Sequence, residues 1–106
     1  MIICLRSNDI MRCTRLSSAW KKAGHQVTSK AEDAPPNLIV IDLSYPGSLD
    51  LIGQKLKSYP NVKIIAFGPH TDGEALKNAA KAGADKVVSQ GKVVEYVLGL
   101  TQAQIS

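Results

Sequence analysis

NLIVIDLSYPG, residues 37–47, is the stretch on which the fold turns. Leu38 to Ile41 form an unbroken apolar run, too short for a helix and rich in β-branched side chains. A run of this kind is a strand buried on both faces, in a parallel sheet with helices above and below. It ends in a single carboxylate, Asp42, followed by a loop that holds Pro46 and Gly47. A carboxylate at the C-terminal end of such a strand stands where open α/β sheets bind their ligands. What the chain does therefore depends on what surrounds Asp42.

Outward from that strand, Val62 to Phe67 (VKIIAF) is a second buried-type strand, closed by Gly68 and Pro69. Between the two, Leu49, Ile52, Leu56 and Tyr59 form an apolar stripe at helical spacing, with Gln54, Lys55 and Lys57 toward water. Upstream, Ile2 to Leu5 is another apolar run, ended by Arg6 and Ser7. Asn8 or Asp9 can cap a following helix, on which Cys13, Leu16, Trp20 and Ala23 recur until Gly24 stops it. Trp20 reads as a core anchor on that stripe. His25 to Ser29 is a short strand, with His25 in the turn before it. Lys30 to Pro36 (KAEDAPP) has no apolar period, and its Pro-Pro pair excludes a helix. The second helix of the alternation is thus expected to be truncated or missing. Downstream, Thr71 and Glu74 have capping-box spacing for a helix through Leu76, Ala79 and Ala80, stopped by Gly83. Lys86 to Ser89 (KVVS) is the last strand. Val94, Val97 and Leu98 face inward on a terminal helix whose QAQIS tail is expected to fray. The alternation of strands and helices means one α/β domain over 1–106, with a parallel sheet and right-handed crossovers.

The totals narrow the function. The 106 residues are enough for one core without staples. Thirteen Lys and Arg against nine Asp and Glu give a net charge of +4, with the charges scattered rather than clustered. One Trp, three Tyr and one Phe form no stacking pattern, so nucleic-acid binding is not expected. Cys4 and Cys13 are not a disulfide framework: Cys4 reads as a small core hydrophobe and Cys13 as a helix-face residue. No apolar stretch approaches a membrane span. MIICLRSND lacks the features of a signal peptide, and a cytoplasmic location is expected.

The stretch LIVIDLSYPG resembles the third strand, phospho-accepting aspartate and Pro-Gly loop of response-regulator receiver domains. AGADKVV, before the last helix, resembles their fourth-helix exit and fifth strand. The likeness spans nearly the whole chain. It implies a flavodoxin-like, CheY-like three-layer sandwich whose five-stranded parallel sheet runs in the order 2-1-3-4-5. It also places Asp42 at the phospho-acceptor position. The other family positions have departed. Receivers carry an acidic pair for Mg²⁺ at the end of the first strand; here those positions are Arg6 and Ser7. Their switch Ser or Thr falls at Gly68, and their Lys after the fifth strand falls at Gln90, with Gly91 following.

These departures remove the chemistry. Phosphoryl transfer to a carboxylate rests on positioning and on a bridging metal, and Mg²⁺ needs carboxylate oxygens that Arg6 and Ser7 do not offer. Arg6 is expected to enter the vacated metal space and pair with Asp42, lowering its pKa; otherwise Asp42 caps loop N–H groups near Pro46 and Gly47. Asp9 belongs to the helix cap, and His70 reads as an exposed loop histidine. No phosphate loop, metal cluster or nucleophile elbow is present. The expectation is a degenerate pseudo-receiver with no cofactor and no catalytic residue, acting through a protein partner or a homodimer. The alternatives are an atypical receiver phosphorylated on Asp42 with Asp9 recruited for metal, and a small-ligand sensor at the strand ends.

Overall fold

The computed structural model describes residues 1–28 and 36–105, with side chains up to residue 100. Strands β1 (Ile2–Arg6), β2 (Gln26–Thr28), β3 (Leu38–Asp42), β4 (Lys63–Gly68) and β5 (Lys86–Ser89) form one parallel sheet in the order β2-β1-β3-β4-β5. Four helices alternate with them among the described residues: α1 (Ile10–Lys22), α2 (Ser48–Ser58), α3 (Gly73–Ala82) and α4 (Val93–Ile105). The expected strand order is therefore the observed one. The expectation of a truncated second helix over Lys30–Pro36 concerns residues that, Pro36 apart, lie outside the described range. No helix of the described residues is long and apolar enough to cross a membrane.

The period-two alternation of the strands sorts the core into two layers. Ile3 and Leu5 of β1, Leu38 and Val40 of β3 and Ile65 and Phe67 of β4 pack with Leu16, Trp20, Val93 and Val97 under α1 and α4. Cys4, Ile39, Ile41, Ile64 and Ala66 point the other way, onto Ile52 of α2 and Ala79 of α3. Every residue of β3 is buried, as a central strand covered on both faces requires.

Details of the helices differ from the sequence reading by single residues. Leu49 is 41% exposed and Leu51 packs inward in its place, because α2 starts at Ser48 after Gly47 in a left-handed conformation. α3 is capped by Asp72, whose side chain accepts from the Ala75 N–H at 3.1 Å, rather than by Thr71. Val93 is the deeply buried residue at the start of α4, and the helix extends to Ile105. His25, in the turn before β2, is buried. Burial, and secondarily the neighbouring amino-terminal charge, lowers its pKa.

Candidate functional site

The parallel register brings the C-terminal ends of β1, β3, β4 and β5 to one edge. Arg6 lies beside Ile41, Asp42 beside Phe67, and Gly68 beside Ser89. β1 is flanked by β2 on one side and β3 on the other, so the connections diverge there, the place where open α/β sheets leave a crevice. Asp42 closes β3 at this point, its side chain only 1% exposed.

A carboxylate removed from water must be compensated by donors, and four converge on this one. Oδ2 accepts from Ser7 Oγ at 2.7 Å and from Arg12 Nη1 at 2.6 Å. Oδ1 accepts from the Ser44 N–H at 2.9 Å and from Ser44 Oγ at 2.7 Å. Burial alone pushes the Asp42 carboxyl up; the hydrogen bonds from Ser7, Ser44 and Arg12 together outweigh it and hold the carboxyl below its ordinary range.

Arg12 is held as firmly as the carboxylate it meets. Its Nη1 also donates to Ser44 Oγ at 3.3 Å, and its Nη2 lies 3.6 Å from Asp9 Oδ2. The Gln90 amide, oriented with its oxygen toward α1, accepts from Arg12 Nε at 3.3 Å and Nη2 at 3.2 Å. Asp9 in turn caps α1, its Oδ1 accepting from the Arg12 N–H at 3.0 Å, while its own N–H donates to Ser7 Oγ at 3.2 Å. Ser7, Asp9, Arg12, Asp42, Ser44 and Gln90 thus form one connected polar network.

The cation on Asp42 comes from Arg12, which corrects the expectation that Arg6 supplies it. Arg6 and Ile41 are register partners on the α2–α3 side, whereas Asp42, one residue on, alternates to the α1–α4 side. The Arg6 guanidinium lies over the Tyr45 ring, 5.7 Å from its centroid. The loop N–H on Asp42 is that of Ser44 rather than one nearer Pro46 and Gly47.

No known protein-family profile matches the chain, and no curated protein matches it in sequence. Solved structures do match. A response regulator from Thermotoga maritima superposes with a TM-score of 0.77 at 19% identity, over 96% of this chain and 94% of that one. The receiver domain of TorR, from the TMAO respiratory system, gives 0.78 at 21% over 97% and 95%. The receiver domain of NtrX from Brucella abortus gives 0.76 at 15% over 97% and 96%. The fold is that of response-regulator receiver domains.

Against the receiver pattern, the resemblance places Arg6, Ser7, Asp42, Gly68 and Gln90 at the functional positions, and the sheet brings all five to one edge. Ser7 and Gln90 are parts of the network: one bonds Asp42, the other holds Arg12. Gly68 is packed beneath Leu43, whose Cδ1 would lie 3.3 Å from a Cβ added there, so a larger side chain needs Leu43 to give way. Sequence reasoning missed Arg12 and Ser44. Ser44 carries a readable signal, an acceptor two residues before a backbone N–H in an Asx-type turn; Arg12 carries none beyond its place three residues after the cap.

The Mg²⁺ that the receiver fold implies does not suit this donor set. A near-octahedral Mg²⁺ wants carboxylate and water oxygens, and both oxygens of Asp42 already accept two hydrogen bonds each. Asp9, the acid closest in sequence to Arg6 and Ser7, is committed to the α1 cap and to Arg12. Among the described residues no three His, Cys, Asp or Glu side chains group closely enough to hold a metal ion.

Proposed function

We propose that the chain is a regulatory module of receiver fold that acts through protein contacts, without Mg²⁺-dependent phosphorylation of Asp42. The observation that carries this reading is the filled coordination of the Asp42 carboxylate, with the Arg12 guanidinium bonded to Oδ2 at 2.6 Å. Phosphoryl transfer needs a carboxylate oxygen free to attack and a cation that bridges it to the phosphoryl group. Here the neutralising charge is a side chain, which cannot bridge. An acyl phosphate at Asp42 would also meet no hydroxyl at Gly68 and no ammonium at Gln90, the groups that turn such a charge into a conformational change. Ile10 and Met11, 82% and 84% exposed on the first turn of α1, adjoin Arg12 and supply an apolar contact surface beside the network. A protein partner or a second copy of the chain is the proposed occupant.

The competing reading, an atypical receiver phosphorylated on Asp42, has the position of that residue in its favour. It requires Arg12 to leave and Asp9 to abandon the cap of α1. Titration with Mg²⁺ and beryllofluoride, an acyl-phosphate mimic, separates the two. The expected result is an unchanged melting temperature and unchanged amide shifts around Asp42. Saturable, Mg²⁺-dependent stabilisation would overturn the proposal.

A further inference from the structure

We propose that the cleft between α1, the β4–α3 loop and the start of α4 binds a small organic anion, one carboxylate or phosphate on a compact apolar body. The cleft has a volume of about 550 Å³ and is lined by Arg15, Leu16, Pro69, His70, Gln90 and Val94 among others. That volume falls within the range of small-molecule sites, and the cleft opens at the strand ends where α/β sheets take ligands. A neighbouring hollow of about 400 Å³, which Asp9 and Arg12 also line, shares Arg15 and Gln90 with it.

The lining has one sign of charge. It contains a guanidinium, an imidazole, the Thr71 hydroxyl and an amide, and no carboxylate. Arg15 makes no ion pair or hydrogen bond with any described residue, in contrast to Arg12 three residues earlier, whose charge Asp42 takes up. His70 is likewise without a hydrogen-bond partner among the described residues. An unengaged guanidinium has the fork that matches a carboxylate or phosphate. Leu16, Pro69 and Val94 add apolar lining to the cleft, which favours a ligand with a hydrophobic body over a bare inorganic anion. This site is separate from the Asp42 carboxylate, which lines neither hollow.

Amide NMR of the full chain tests the site with phenyl phosphate and benzoate as probes, and with inorganic phosphate and phenol as the arms carrying charge or ring alone. The expected result is saturable shifts at Thr71, Gln90 and Gly91 with one or both aromatic anions. Loss of a charge-assisted pair should weaken that binding roughly tenfold or more in Arg15→Ala. His70→Gln is expected to weaken it less. Arg15 is exposed, so the variant should keep its melting temperature, and that measurement accompanies the titration. The site is overturned by equal affinity in Arg15→Ala, by no saturable shift with either aromatic anion, or by shifts spread equally over Lys21 and Lys22. Equal response to inorganic phosphate would likewise reduce it to surface charge.

Discussion

Asp42 stays ionised in a buried position because donors from three parts of the chain meet on it: Ser7 after β1, Arg12 in α1 and Ser44 in its own loop. Removing one member of a buried, hydrogen-bonded ion pair leaves the other uncompensated. Arg12→Ala is therefore expected to raise the Asp42 pKa and to cost about 2–4 kcal/mol of stability, read by carboxyl NMR titration and by denaturant unfolding. Arg6→Ala should leave the Asp42 titration in place, since the Arg6 guanidinium stacks on Tyr45 instead. The same logic fixes what building a metal site here requires. Arg6→Asp with Ser7→Asp introduces an acidic pair but leaves a guanidinium on Asp42. Calorimetry should detect Mg²⁺ binding only when Arg12→Ala is added; binding by the double variant alone would contradict the role given to Arg12.

At the scale of elements, α1 is the part that brings the cation to Asp42. Its cap residue Asp9 orders the first turn and holds both the backbone and the head group of Arg12. Asp9→Ala loses a helix cap, about 1 kcal/mol, and frees one side of Arg12. The expected signature is a small stability loss in denaturant unfolding with the Asp42 carboxyl still held below its ordinary range, because its own donors Ser7, Ser44 and Arg12 remain. The exit of α3 is constrained differently. Gly83 adopts φ +115°, and a Cβ there would run into Leu56 of α2. Gly83→Ala should cost about 1–2 kcal/mol for the left-handed backbone, plus the displacement of Leu56, with the Asp42 titration unaffected.

For the whole molecule, the site couples ionisation to folding. The Asp42 carboxyl is held below its ordinary value in the folded chain, so the unfolded chain takes up the proton first as pH falls. The stability this contributes is fully present above the unfolded value of about 3.9 and is lost as pH drops through the folded value. Thermal unfolding midpoints should therefore fall through this acidic window. Asp42→Asn should be less stable at neutral pH, where it strands Arg12, and should show a shallower acid limb.

How much of this was legible in the sequence varies with the range of the interaction. The apolar run Leu38–Ile41, the glycine and proline stops and the helical stripe through Leu16 and Trp20 are local patterns. Burial of apolar surface enforces such patterns wherever they occur, so they determined the alternation of strands and helices. The resemblance of LIVIDLSYPG then gave the strand order and the place of Asp42. Which cation meets Asp42 was decided only by the tertiary structure. That choice depends on the register of β1 against β3, which puts Arg6 with Ile41 on one face and turns Asp42 to the other. It depends equally on α1 lying over that second face with Arg12 one turn from its start. A shift of one residue in a strand pair reverses the face of every side chain, and nothing in the one-dimensional sequence records that parity between strands.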